Sequence, residues 1–261
     1  MKEKMLVLAK TYPTISKKYE HLVCIAGLTE DNEWRRIYPV PWQLFWRGSE
    51  KKFKKKSWIR YRLEDTKPSD RRPESRKIDF SSIEVLEEES YREIKKRLDE
   101  KLVTLDALQS EDDSIVSLGA IKPKIMDLVY SESEYYKKVK SMSNQVTLVD
   151  GKSAIKIKVP DMKFQYIFHC SDKCVKRHKI MCEDWEMGML YLNSVKLHGD
   201  KEKAAKIVRK KFLFDIPKLK YIYFIVGTHN RHPNSWLIVS VLYPKKTEIP
   251  KIETSDLFDF M

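Results

Sequence analysis

Short apolar or alternating runs punctuate the first 80 residues: MLVLAK (5–10), HLVCIAGL (21–28), WRRIYPV (34–40) and SWIRYRLE (57–64). Clusters of Pro, Asn, Asp and Lys separate them, which predicts short strands bent into a small barrel. The pattern then changes period. Tyr91, Ile94, Leu98, Leu102 and Leu105 recur at steps of three and four and predict a helix over 90–109. Serine and glutamate open a second predicted helix over 131–140. β character returns with the strict alternation of AIKIKVP (154–160) and the apolar FQYIFHC (164–170). Helices are expected over 183–197 and 200–216, the latter capped by Asp200 and basic on its outer face. Two strong strands, YIYFIVGT (221–228) and SWLIVSVLYP (235–244), are joined by the polar HNRHPN and predict a hairpin.

The expected class is therefore α+β. A β-barrel-like (OB- or PUA-like) part occupies 1–82, and a mainly helical insertion or linker occupies 83–150. An αβ part with a Cys/His cluster and the final hairpin occupies 151–244, and a flexible tail follows over 245–261. At 261 residues the chain can bury one large core or two small ones. Aromatic residues at 11% argue against disorder. Seven glycines and no glycine-rich phosphate loop weaken nucleotide-hydrolysing and dinucleotide-binding readings. The apolar run Met5 to Ala9 is too short for a signal peptide, and no run approaches the ~18 residues of a membrane span. Cytoplasmic residence is the expectation, under which clustered cysteines read as metal or thiol chemistry rather than a disulfide framework.

Three of the four cysteines lie in HCSDKCVKRHKIMC (169–182). On one continuous helix, residues 170 and 182 would sit about 18 Å apart, too far to share an ion. If Cys170 ends a strand and the chain turns, a helix starting near Lys176 could bring Cys170, Cys174, His178 and Cys182 together as a structural zinc knuckle, with His169 able to replace one ligand. The alternatives are thiols packed as small hydrophobes, or a redox-active cysteine. The flanking Ser, Asp, Lys and Arg make poor core.

The formal charge of +13 favours a polyanionic partner, chiefly nucleic acid, and DNA ahead of RNA; lysine and glutamate enrichment also fits a thermophile. The stretch 34–62 interleaves aromatic rings with cations, as nucleic-acid grooves do. Its candidates are Arg35, Arg36, Trp42, Trp46, Arg47, Lys54, Lys55 and Lys56, joined by Arg71, Arg72 and Arg76 in the polar loop 66–79. Some of these aromatics must be core, and the loop arginines can also pair with Asp70 and Glu74. His229 and His232 crowd the turn between two strands, and Asp184 and Glu186 follow the cysteines. These four are the candidates for acid–base or nuclease chemistry. Polar residues are also simply what a hairpin loop needs.

The segment LAKTYP…CIAGLTEDNEWRRIYPVP, about 40 residues, resembles the opening of the prokaryotic dual OB-containing domain proteins. It departs from them in carrying Arg36-Ile37-Tyr38-Pro39 where an Arg-Pro pair is commoner. That resemblance implies an OB-like barrel with a nucleic-acid-binding surface. The tail SDLFDFM is similar to sliding-clamp-binding peptides in Asp256, Leu257, Phe258, Phe260 and Met261, with Thr254 where such peptides favour Gln; the alternative is an apolar end docked on its own domain. The leading expectation is a nucleic-acid-binding protein of DNA replication, repair or a mobile element, possessing a zinc site and a sliding-clamp partner. A nuclease or base-modifying enzyme, and a protein-interaction adaptor, are the alternatives.

Overall fold

The computed structural model describes residues 1–16, 20–41, 45, 52–134, 159–230 and 232–246. The tail motif, Trp42, Trp46 and Arg47, residues 135–140 of the predicted helix 131–140 and residues 154–158 of the predicted strand 154–160 lie outside them.

The first sheet contains β1 (Lys2–Lys10), β2 (Thr14–Ser16), β3 (Glu20–Thr29), β4 (Trp34–Pro41), β5 (Ser57–Leu63), β6 (Ser75–Arg76) and β7 (Ile78–Glu88). Its order is β6-β4-β3-β1-β5-β7, with β2 paired to β3. The two ends of this path, β6 and β7, are separated in the chain only by Lys77, so one continuous stretch pairs β4 with its first residues and β5 with the rest. The sheet thus curls until its edges meet. Register shifts in β1, β3 and β5 supply the bends. Met5, Val7, Val23, Ile25, Ile37, Ile59 and Tyr61 fill the inside. This is the barrel-like N-terminal part that the spacing predicts.

The second sheet has the same device. Its strands are β8 (Leu118–Ile121), β9 (Lys124–Glu132), β10 (Met162–His169), β11 (His178–Cys182), β12 (Tyr223–His229) and β13 (His232–Leu242). The order is β8-β12-β13-β11-β10-β9, and its two ends are joined through Lys122 and Pro123 alone. β12 and β13 form the expected antiparallel hairpin. Five helical elements accompany the sheets among the described residues: α1 (Tyr91–Asp99), α2 (Leu105–Ser110), α3 (Trp185–His198), α4 (Lys201–Arg209) and α5 (Ile216–Leu219). A π turn, Lys210–Asp215, links α4 to α5. None is long and apolar enough to cross a membrane.

Strand β1 shows why its sequence is a solid apolar run rather than an alternation. Met5 and Val7 face the inside of the first sheet, whereas Leu6 and Leu8 face a second core shared with Leu118, Tyr223, Ile225 and Val239. A strand buried on both faces has no polar side to show. β12 behaves alike: Tyr223 and Ile225 meet the shared core, and Phe224 and Val226 meet a third core under α2, α3 and α4.

Two expectations are corrected. The single helix over 90–109 is two helices, because Leu102 and Val103 pair with Ala120 in extended conformation. Thr104 then starts α2 afresh by capping Ala107 N at 3.2 Å. The mainly helical middle also contains the strands β8 and β9, with Lys122 and Pro123 between them.

Candidate metal centre

Strand β10 ends at His169, and Cys170 follows it into a turn closed by the Cys174 N–H donating to Ser171 O at 3.2 Å. The chain re-enters the sheet at His178, which pairs with Phe168 and stacks on its ring at 5.5 Å between centroids. Opposite this hairpin stands the first turn of α2. Leu105 and Leu108 are buried in the third core, and that anchoring points Asp106 at the hairpin.

Four ligand atoms converge there, those of Asp106, Cys170, Cys174 and His178, all within 4.8 Å of one another. Asp106 Oδ2 lies 3.6 Å from each of the two thiol sulfurs and 3.4 Å from His178 Nε2. Cys174 Sγ lies 3.6 Å from His178 Nε2. A tetrahedron built on metal–ligand bonds of 2.0–2.3 Å has edges of about 3.3–3.8 Å. The cluster therefore has the size and donor types to hold one metal ion. Burial pushes the Cys170 thiol up and the His178 imidazole down. Burial also works against the Asp106 carboxylate, but Lys176 and the nearby His178 together hold it below its ordinary value. Lys176 Nζ grips Asp106 Oδ1 at 3.1 Å.

Three of the four sequence-predicted ligands are brought together and one is not. Residues 178–182 form strand β11 rather than a helix. Cys182 then sits four residues along an extended chain from His178, about 13 Å away. It faces Phe164 across the ladder, with its thiol pushed well up by burial. Nor is His169 a substitute, since its Nδ1 lies 2.9 Å from Lys176 O and ties the loop together. Asp106 escaped the sequence reading because it lies 64 residues before Cys170, in a short helix with no cysteine or histidine nearby. Its only local signal is an acid in the first turn after a threonine cap.

The predicted nucleic-acid residues fare differently. Arg36 is 1% exposed and crosses to the second sheet, donating to Ser117 Oγ and Ser117 O at 2.8 Å each. Gly227 makes room for it: a Cβ there would stand 2.8 Å from Arg36 Nη2. Arg72 is buried between Asp70, at 2.6 Å, and Thr228 O, at 3.0 Å. Arg71 reaches Asp113 and His229 O. Lys55 is buried against Asp184, at 2.9 Å, and Glu186, at 3.1 Å; burial opposes its charge, and the two carboxylates outweigh that cost and raise its pKa. Arg35 pairs with Glu3 and Glu33, Arg76 caps Pro73 O and Ser75 O, and Lys54 and Lys56 lie 3.8 and 3.6 Å from Glu88. Arg36, Lys55 and Arg72 are thus braces between the two sheets, withdrawn from any phosphate.

The four catalytic candidates do not converge. His229 and His232 stack at 5.0 Å at the tip of the β12–β13 hairpin. Asp184 is buried at the other end of β13, accepting from Val241 N and Ser240 Oγ and capping α3. Nine extended residues separate the two ends, about 30 Å. Glu186 binds Tyr243 OH at 2.5 Å beside Lys55.

Residues 1–103 match the model of a domain of unknown function, DUF8758. Residues 100–261 match that of a second, DUF8757. No curated protein matches the chain. Among solved structures, the crystal structure of the tetrameric p202 HIN2 aligns over 95% of this chain and 92% of that one, at 12% identity and a TM-score of 0.29, too low to carry an argument about fold or function. The boundary between the two matched models falls in the segment joining α1 to α2, where the first sheet has ended and the second has not begun. With the second model spanning well over half of its length, the chain belongs to the DUF8757 family of domains of unknown function.

Proposed function

We propose that this chain is a cytoplasmic nucleic-acid-binding protein in which a zinc ion, held by Asp106, Cys170, Cys174 and His178, fixes a basic loop for contact with phosphate. The observation that carries the reading is what lies over the ligand cluster. Lys173, Lys176, Arg177 and Lys179 are exposed around Cys174 and His178, and Val175 at the tip is 94% exposed. Lysines and an arginine on a short loop would fluctuate without a brace. Four ligands drawn from α2, the turn and β11 supply one. Two thiolates with one imidazole and one carboxylate in a tetrahedral set suit zinc among the common divalent metals. With all four positions filled by protein, the ion's part is structural.

The test is metal content and salt-dependent binding together. Purified protein is expected to carry about one zinc per chain. Cys174→Ser should lose metal and melt earlier, whereas Cys182→Ser should keep its metal. Oligonucleotide affinity should fall steeply with salt as counterions are released. Metal-free protein with an unchanged melting temperature, or no salt-dependent binding, would overturn the reading. Its finer form places the protein in DNA replication, repair or a mobile element, recruited by a sliding clamp through Asp256, Leu257, Phe258, Phe260 and Met261. The support is the sequence likeness of that tail alone. A peptide of residues 249–261 binding the host clamp near micromolar Kd would bear on it.

A further inference from the structure

We propose that the outer face of α4 and the π turn after it is the track on which a single strand of nucleic acid lies, an inference that rests on the nucleic-acid reading above. Lys203, Lys206 and Lys210 step by three and four residues and share one stripe, opposite the buried Ala204, Ala205 and Val208. Lys211 in the π turn and Lys218 in α5 are exposed as well. Lys206 leans on Glu202 at 3.8 Å. Lys203, Lys210 and Lys211 make no ion pair with any described residue. The acids here are few and mostly engaged. Asp200 caps Lys203 N at 3.0 Å and Glu202 accepts from Tyr130 OH at 2.7 Å; both are exposed, as is Asp215 beside the lysines.

The π turn adds the second component. π turns interrupt helices frequently at functional sites. This one buries Phe212 in the core yet leaves Phe214 45% exposed. The Arg209 guanidinium lies 5.5 Å from the Phe214 centroid. Arg209 is itself fixed to Leu128 O at 3.1 Å and Asp127 at 2.7 Å, so the ring is held rather than loose at the surface. An aromatic face between backbone-binding cations offers an unpaired base a stacking surface, which a closed duplex does not use. Position fits as well. α4 runs along β9 from Tyr130, bound by Glu202, toward Asp127 and Leu128, bound by Arg209. That is the direction of Lys124, which opposes His169 at the foot of the metal-braced loop. The two basic features thus lie toward one end of the second sheet.

The experiment is equilibrium binding of the full chain to labelled oligothymidylate, a single-stranded RNA and a DNA duplex over a salt series. Replacing Lys203, Lys210 and Lys211 together with Gln should lower the slope of log affinity against log salt by about 2, the share of three single-strand phosphate contacts. Phe214→Ala should weaken single-strand binding about tenfold at fixed salt and leave the slope unchanged. All four side chains are exposed, so both variants should melt as the parent does. If the parent binds and the triple variant keeps its slope, this face is wrong while the nucleic-acid reading stands. If the parent prefers duplex and Phe214→Ala changes nothing, the single-strand assignment is overturned. If the parent binds none of the three, the reading beneath it has failed and this inference falls with it.

Discussion

In the first barrel-like sheet, the basic side chains that look most like a phosphate surface in sequence are engaged by the protein itself. Arg36 holds Ser117, Arg72 holds Asp70 and Thr228 O, and Lys55 holds Asp184. Around the second sheet, cations of the same chemistry project outward: Lys173, Arg177 and Lys179 over the ligand cluster, and Lys203, Lys210 and Lys211 along α4. The difference is position relative to the shared core. The first sheet offers one face to the second, and any long side chain on that face must find acceptors there or remain desolvated. Among the described residues, the loop over the metal ligands and the outer face of α4 have no such neighbour. Charge density along a chain therefore reports how many cations there are and not which way they point.

The largest effect should come from breaking a brace of the first sheet. Lys55→Ala leaves Asp184 buried with its charge uncompensated and should cost about 3–5 kcal/mol of unfolding free energy. Lys54→Ala, one residue away and exposed, should cost under ~0.5 kcal/mol. Chemical denaturation of the two variants side by side measures this, and equal small losses would mean that Lys55 is no brace.

A middle-sized effect is expected at Lys10. It is buried between Phe45 and Trp185, with its amine 4.6 and 4.4 Å from their ring centroids. Burial first, then Lys55, lowers its pKa to about 8. The unfolded chain binds the extra proton between that value and the ordinary 10.5, so this group's contribution to stability rises with pH across that window and its full cost is present below it. Lys10→Met should therefore stabilise the protein at pH 7 by about 1–3 kcal/mol. The gain should shrink as pH climbs from about 8 toward 10.5. A gain independent of pH, or a loss at pH 7, would show the amine to be better accommodated than its surroundings suggest.

The smallest effect separates the two regions as nucleic-acid surfaces. Lys173→Gln with Arg177→Gln should reduce the salt slope of oligonucleotide binding by about 1.5. Lys54→Gln with Lys56→Gln, whose amines already face Glu88, should reduce it by less than ~0.5. The opposite ranking would return the binding face to the first sheet.

Local pattern was enough for much of the fold. MLVLAK, YIYFIVGT and SWLIVSVLYP become β1, β12 and β13, because each run is apolar enough to be driven between two cores wherever those cores lie; SWIRYRLE becomes β5, because its alternation sends Ile59, Tyr61 and Leu63 inward and Arg60 and Arg62 outward. Asp200 starts a helix because its carboxylate accepts from Lys203 N three residues on, an interaction needing no distant partner. Cys170, Cys174 and His178 come together because one turn between two strands is a local event. Three things were left to tertiary structure. Cys182 fails as a ligand and Asp106 replaces it, since a fourth ligand depends on which helix packs beside the turn. The second sheet curls closed through Lys122 and Pro123, since closure is a pairing of β8 and β9 with strands a hundred or so and about forty residues away in the chain. And the cations were sorted into braces and surface by the contact between the two sheets, because desolvation, which decides a charge's fate, is set by what covers it and not by its neighbours in sequence.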